Sequence, residues 1–390
     1  MLSHPAIADL LDSPRRDVLS IALDVDPTKP ENQNEPPAYR IWLRNELRAL
    51  LDHLDNDVRK RIKGAADRVE AFVERERPQG RGLAIFAADE LWRVHVLPVP
   101  LKNVVRFGRP DVLPLLWAAD EYEPYAVLAV SRERALLLIA YLGGTMVAQS
   151  DVLELDTRHW RFKSGRPPTF TKGMGTGASR GTERDTFEAR IEDHLRRLWS
   201  GAAEAADRWL QEARVERLII AGPDEAASAV RNLLPAGARA KLVAVVPIPA
   251  DADPDEIHRL TMRVALDEEH RRERALVEDL LARAPAGVGT IVGVEPTLEA
   301  LAREQVITLV VDRNVDGQVY RCTKCGFVTA KVRPGCPVCG GQQEPTELTQ
   351  VLPLLARQNG ARVEIVGGET AAQLRAHGGV GAILRYIVPS

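Results

Sequence analysis

The sequence predicts an α/β protein of three domains, and three observations predict it. The last third of the chain alternates short apolar runs with amphipathic ones. The middle third opens on three closely spaced apolar runs and then alternates in the same way. The first third sets two stretches with apolar residues three and four apart beside short strand-like runs. Spacing of i, i+3, i+4 favours a helix, and short apolar runs bounded by turn residues favour strands. With 390 residues there is enough chain for two or three separate cores.

In the first domain, residues 1–124, Val18 to Val25 is an expected strand, followed by a Pro- and Asn-rich loop from Pro27 to Pro37. Helices are expected over Tyr39 to Leu54 and Val58 to Glu76, and a hairpin over Gly82 to Ala87 and Leu91 to Val96. Charge and a proline at Glu121 to Pro124 mark the boundary. The second domain, residues 125–250, begins with the runs Ala126 to Val130, Ala135 to Tyr141 and Thr145 to Val152, spaced for an antiparallel meander. A long polar loop, residues 156–182, leads into a helix over Glu183 to Ala213. Strand Arg217 to Ala221, helix Asp224 to Leu234 and strand Lys241 to Val246 follow. Pro247 to Pro254 reads as a linker, and Asp255 to Arg283, rich in alternating Glu and Arg, reads as an exposed, salt-bridged helix.

The third domain, residues 251–390, holds strands at Gly289 to Gly293, Val306 to Val311, Ala361 to Val366 and Ala382 to Val388. Its further helices are expected at Thr297 to Glu304, Leu348 to Asn359 and Glu369 to Ala376. A cysteine-bearing segment, residues 313–346, interrupts this alternation and therefore reads as an insertion into one domain.

Composition narrows the function classes. Apolar residues make up 45% and charged residues 27%, as in a soluble globular protein. A net charge of −3 excludes a uniformly basic nucleic-acid binder and leaves only local basic patches. No run of about eighteen apolar residues occurs, and Met1 to Asp12 lacks the basic start and apolar core of a signal peptide, so the expected location is the cytoplasm. Four cysteines in such a chain are too few for a disulfide scaffold.

Those cysteines are paired, as Cys322-Thr-Lys-Cys325-Gly and Cys336-Pro-Val-Cys339-Gly. Two intervening residues let one tight turn present both sulfurs to a tetrahedral ion at about 2.3 Å, with the glycines permitting the sharp turn. Tyr320, Phe327 and Val332 are the apolar residues expected to cluster there. Cys322, Cys325, Cys336 and Cys339 are thus expected to hold one structural Zn2+; free thiols or a redox pair are the alternatives. Four cysteines leave no open position for catalytic water. The eight histidines show no paired ligand spacing, and the first strand of the middle domain carries no acidic residue for a magnesium-dependent nuclease.

The residues flanking the insertion are distinctive. Gly293-Val294-Glu295-Pro296-Thr297-Leu298-Glu299-Ala300-Leu301 precedes it. Pro353-Leu354-Leu355, Ala361 to Val366 and Gly378-Gly379-Val380-Gly381-Ala382-Ile383-Leu384-Arg385-Tyr386 follow it. Over roughly Thr290 to Val388 this order of motifs resembles the last domain of the archaeal and eukaryotic class-one peptide-chain release factors and of Pelota. The resemblance implies the α/β fold of a kink-turn-binding ribosomal protein, with a zinc ribbon inserted. It also implies a ribonuclease-H-like middle domain, with which the phrase Leu218-Ile219-Ile220-Ala221-Gly222 is compatible. The first 120 residues lack the family's codon-reading motifs and look more like the divergent N-terminal domain of bacterial members that act in hibernation or rescue.

Release factors of that family place Gly-Gly-Gln on a middle-domain loop. Here Gly340-Gly341-Gln342 directly follows Cys339, in the insertion, where it reads as a turn closing the second cysteine pair. The loop at the family's catalytic position runs Thr171-Lys172-Gly173-Met174-Gly175-Thr176-Gly177-Ala178-Ser179-Arg180-Gly181 and has no glutamine. That departure puts peptidyl-tRNA hydrolysis in doubt. Between Thr157 and Arg184 the basic residues Arg158, Arg161, Lys163, Arg166, Lys172, Arg180 and Arg184 stand against Glu183 alone, with His159, Trp160, Phe162 and Phe170 interleaved. Such a segment suits contact with RNA phosphates and bases through Arg161, Lys163, Arg166, Lys172, Gly173, Gly175, Gly177, Arg180 and Arg184; the alternative is a solvated surface loop.

The resemblance therefore implies a ribosome-associated factor that contacts rRNA in the A site, in rescue or hibernation. A translational GTPase such as elongation factor Tu is an expected partner, and no membrane is involved. The rival readings are a peptidyl-tRNA hydrolase using the altered glycine loop, and a zinc-ribbon RNA-binding or interaction module.

Overall fold

The computed structural model describes residues 5–142, 144–147, 153–154 and 181–385. It is a mixed α/β molecule with four sheets among the described residues, and it divides into two compact units, Met1–Glu123 with Glu269–Ser390, and Pro124–Glu268.

The chain begins with α1 (Pro5–Leu11), β1 (Val18–Asp24), α2 (Ala38–His53), α3 (Asn56–Arg75), β2 (Gly82–Ala87), β3 (Trp92–Leu97), β4 (Val104–Gly108) and α4 (Leu113–Glu121). The four strands form an antiparallel sheet in the order β3-β2-β1-β4. Tyr39, Leu43 and Leu47 of α2 and Ala65, Val69 and Val73 of α3 pack on Leu19, Ile21, Leu23, Leu83 and Ile85, which explains the spacing read in both helices. Helix α4 is a finding beyond the sequence reading. Its run Leu113-Pro-Leu-Leu-Trp-Ala-Ala is buried almost all round, with Leu113, Leu115, Leu116, Trp117 and Ala118 inside, so it shows no polar face for periodicity to detect.

The second unit holds β5 (Tyr125–Val130), β6 (Arg134–Tyr141), β7 (Gly144–Val147), β8 (Leu153–Glu154), α5 (Gly181–Glu212), β9 (Leu218–Gly222), α6 (Asp224–Leu233), α7 (Ala236–Ala240) and β10 (Leu242–Pro247). The sheet order is β10-β9-β5-β6-β7, with β8 beside β6. β5, β9 and β10 run parallel, and the β5–β6–β7 meander runs antiparallel. Every residue of β5 is buried because both faces are covered. Ala126, Leu128 and Val130 meet α5 and α6, while Tyr125, Val127 and Ala129 meet Ile257 and Ala265 across the sheet. Ile248 and Ala252 belong to that second core, so the stretch expected as a linker is packed.

Helix α8 (Pro254–Arg283) corrects the expectation of an exposed helix. Ile257, Thr261, Ala265, Glu269, Glu273, Val277 and Leu280 are buried along one stripe at intervals of four and then three. The stripe was hidden in the sequence because two of its members are glutamates. Glu269 is 3% and Glu273 5% exposed.

The chain ends with β11 (Thr290–Val292), α9 (Val294–Ala302), β12 (Val306–Asp312), β13 (Gln318–Cys322), β14 (Val328–Thr329), β15 (Gln343–Glu347), α10 (Leu348–Asn359), β16 (Arg362–Val366), α11 (Gly368–Arg375) and β17 (Val380–Leu384). One sheet has the order β11-β17-β12-β16, and a separate three-stranded sheet, β14-β13-β15, lies in the segment between β12 and α10.

Within the first unit the two ends of the chain are joined by buried polar contacts. Asp111 accepts hydrogen bonds from the Leu113 N–H (3.1 Å) and the Thr349 hydroxyl (3.1 Å), and its own N–H donates to Ser20 Oγ (3.0 Å). Burial pushes the Asp111 carboxyl above its ordinary value, while the Leu113 and Thr349 donors pull it back. The Arg313 guanidinium lies 3.3 Å above the Trp117 ring, and Asp120 accepts from the N–H of Ile365 at 2.6 Å. An Asp111→Ala change leaves two buried donors without their acceptor and is expected to cost about 2 kcal/mol in urea denaturation. Asp111→Asn, which keeps an acceptor and removes the buried charge, is expected to cost clearly less than the alanine.

Candidate metal centre

β13 delivers Cys322 to the end of its pairing with β15, where it faces Gln343. The chain then turns twice in the same way. The Cys322 N–H donates to the Phe327 carbonyl and the Cys336 N–H to the Gly341 carbonyl, both at 2.8 Å. Gly326 N–H donates to Cys322 O (3.0 Å) and Gly340 N–H to Cys336 O (2.8 Å), with φ of +79° and +68° at the two glycines. That left-handed backbone is why each pair ends in Gly. Inside each turn a backbone donor points at the first sulfur: Lys324 N–H to Cys322 Sγ and Val338 N–H to Cys336 Sγ, both 3.4 Å. Such donors stabilise a thiolate.

The two turns bring Cys322 Sγ to 3.5 Å from Cys339 Sγ, and Cys325 Sγ to 3.5 Å from Cys336 Sγ. All four sulfurs lie within 4.8 Å of one another. A tetrahedral ion with sulfur at about 2.3 Å spaces its ligands about 3.8 Å apart, so the grouping fits a zinc ion. Cys322 and Cys336 are buried, Cys339 is half-buried and Cys325 is exposed. Amide donors from Cys325 and Lys324 outweigh burial and pull the Cys322 thiol down to about 6. At Cys325 the Phe327 N–H favours the thiolate, but burial and the neighbouring thiols outweigh it and push that thiol up to about 12. The four cannot all ionise easily by themselves, and a dication is what would allow it.

The expected apolar residues are placed differently. Val319 and Val328 are the buried ones, Tyr320 and Phe327 are half-buried, and Val332 is 66% exposed. Both residues of the short β14, Val328 and Thr329, are buried and take that place. Gly340-Gly341-Gln342 closes the second turn. A Cβ on Gly341 would stand 3.1 Å from Cys322 Sγ and 3.1 Å from Lys324 Cβ, and the Gln342 carbonyl accepts from Thr323 N–H at 2.9 Å. Spacing could not reveal that close approach at Gly341. A Gly341→Val protein is accordingly expected to fold with weakened metal retention, seen as faster zinc release to a chromogenic chelator.

Arg161, Lys163, Arg166, Lys172, Gly173, Gly175, Gly177 and Arg180 lie outside the described residues. Arg184 falls within α5. Among the described residues, no helix is long and apolar enough to cross a membrane.

Residues 110–266 match the family model of bacterial archaeo-eukaryotic release factor family 10. No curated protein matches the chain. Among solved structures, an archaeal translation termination factor, aRF1, is 16% identical, with 98% of this chain and 96% of that chain covered and a TM-score of 0.27. Dom34 of S. cerevisiae, a translation termination-like factor of RNA quality control pathways that interacts with Hbs1, is 11% identical over 80% of this chain and 75% of its own, with a TM-score of 0.41. The C-terminal domain of a peptide chain release factor from Methanosarcina mazei is 24% identical, covering 36% of this chain and 99% of that one, with a TM-score of 0.25. Residues 110–266, less than half of the chain, are thus similar to a bacterial release factor family of the archaeo-eukaryotic type.

Proposed function

We propose that this protein is a cytoplasmic, ribosome-associated translation factor that occupies the A site in rescue or hibernation. The observation that carries the reading is the match of residues 110–266 to a bacterial release factor family. On this reading residues 1–124 face the decoding centre, and residues 125–250 form a ribonuclease-H-like domain. The loop at 156–182 reaches toward the peptidyl-transferase centre, with Arg161, Lys163, Arg166, Lys172, Arg180 and Arg184 on rRNA phosphates. Residues 251–390 form the kink-turn-protein-like domain, a docking place for a translational GTPase such as elongation factor Tu. Its insertion, residues 313–346, is a ribbon held by one structural zinc on Cys322, Cys325, Cys336 and Cys339. The loop's lack of Gly-Gly-Gln favours a role without peptide release.

Sedimentation with 70S ribosomes through a sucrose cushion tests the reading. Co-migration at low salt that weakens as salt rises is expected, and replacing Lys172 and Arg180 by glutamate is expected to abolish it. Absence of co-migration at low salt sinks the proposal. Release of labelled peptide from a stalled complex, lost on bulky replacement of Gly175 and Gly177, would instead identify a hydrolase.

A further inference from the structure

Three arginines are brought near one carboxylate, Glu344, where the first sheet meets the cysteine module. Glu344 on β15 is the register partner of Arg321 on β13, which puts the two side chains on one face. Arg16, two residues ahead of β1, hydrogen-bonds Glu344. Arg109 follows Gly108, whose partner on β1 is Val18, so Arg109 leaves the sheet at the end where Arg16 enters it. The neighbouring Phe107 carbonyl accepts from the Gln350 side chain at 3.2 Å, which ties that corner to α10, the helix that follows the module.

Glu344 pairs with Arg16, and among the described residues neither Arg109 nor Arg321 has a hydrogen-bond acceptor or an ion-pair partner. Both side chains are half-buried. Burial, with the charges of Arg321 and Arg16, holds Arg109 below its ordinary pKa against the opposing pull of Glu344. A guanidinium taken partly out of water without an acceptor is unfavourable, and three of them against one carboxylate leave an unbalanced positive charge. Arg321 also lies with Nη2 over Gly326, beside the first cysteine turn. A metal–thiolate centre would offset part of its charge and still leave Arg16 and Arg109 facing Glu344 alone.

We propose that Arg16, Arg109 and Arg321 form a binding site for a phosphate group. The planar guanidinium fork matches phosphate oxygens two at a time, and an anion carrying two negative charges balances what Glu344 does not. A small polyphosphate ion or the backbone of an RNA strand supplies the same chemistry. Because none of the three arginines belongs to the loop at 156–182, its test does not depend on ribosome association.

Zinc-loaded, full-length protein is titrated at constant ionic strength with inorganic pyrophosphate by calorimetry, and with a fluorescein-labelled RNA duplex by anisotropy. Saturable binding of at least one probe is expected. Arg109→Gln is expected to weaken it about tenfold, the loss of one charge-assisted hydrogen-bonding pair. Glu344→Gln, which removes the competing carboxylate, is expected to strengthen it several-fold. An effect on pyrophosphate identifies a free phosphate ligand, and an effect on RNA alone identifies a strand. The proposal is overturned if neither probe binds, or if Arg109→Gln leaves both affinities unchanged. Should Arg109→Gln fail to fold, as judged by zinc content and circular dichroism, Glu344→Gln decides: unchanged or weaker binding overturns the site.

Discussion

A Cys322→Ser protein is expected to lose its zinc and the ordered structure of residues 313–346, while the rest of the first unit stays folded. The expectation follows from how little else holds the insertion together. Its sheet has three strands, one of them only two residues long, and its buried apolar side chains are chiefly Val319, Val328 and the cysteines Cys322 and Cys336. Such a core cannot offset the conformational entropy of more than thirty residues at roughly 1–2 kcal/mol each. Structural zinc in small cysteine modules contributes about 10–16 kcal/mol at neutral pH, a contribution these few apolar side chains do not replace. Wild-type protein should carry one equivalent by atomic absorption. In the serine variant, amide exchange at Tyr320, Arg321 and Phe327 should approach that of an open chain. Exchange in β12 and β17, which pair with each other in a different sheet, should be unchanged. Full zinc content in Cys322→Ser would refute the ligand set, and exchange that spread into β12 would refute the independence of the insertion.

The contrast between the cysteine turns and the rest of the molecule explains what could be read from residues alone. The cysteine turns are local. Each is fixed by neighbours within five residues, such as Cys322 N–H to Phe327 O, so spacing encodes the geometry almost completely. The strands and helices from Thr290 onward were legible for a similar reason, because each amphipathic run packs on the sheet beside it. What escaped depends on partners far away in sequence. Helix α4 lost its polar face to contacts with the other end of the chain, including Arg313 over Trp117. Asp120, next to the expected boundary at Glu121 to Pro124, accepts from the Ile365 N–H across 245 residues. The arginines at 16, 109 and 321 lie on or beside two different sheets linked by the Arg16–Glu344 pair, and no short window of sequence contains two of them. Charge misled most on α8, where Glu269 and Glu273 occupy positions that the period assigns to the core.

Those buried carboxylates should make the protein more stable in mild acid than in mild base. Burial first, and then the negative charge of Glu121, raise Glu273 from 4.5 to about 7, against the opposing pull of the Gly367 N–H and of His270. Asp120 is pushed up well above its ordinary value by burial and by Glu364, and Glu364 is itself raised by burial and by Glu269. Asp120 and Glu364 border a cleft of about 620 Å³ that Glu269, Arg272 and Arg357 also line. A carboxyl whose pKa is higher in the folded protein than in the unfolded chain binds its proton more tightly when folded. Its stabilising contribution is complete below the unfolded value of 4.5 and is lost as pH rises through the folded value of about 7. For Glu273 alone the loss between about pH 5.5 and about pH 8 is on the order of 2 kcal/mol, with Asp120 and Glu364 adding in the same direction. Glu273→Gln keeps the shape and removes the titration. It is expected to melt higher than wild type at the basic end, to match it at the acidic end, and to show a flatter dependence between them. Urea denaturation at several pH values measures this directly. A wild-type stability that rises from pH 5.5 to 8, or a Glu273→Gln protein with the unaltered slope, would mean that the stripe on α8 is relieved by another route, such as a cation held in the cleft. Adding a divalent cation to wild-type protein at the basic end, and looking for recovered stability, separates those cases.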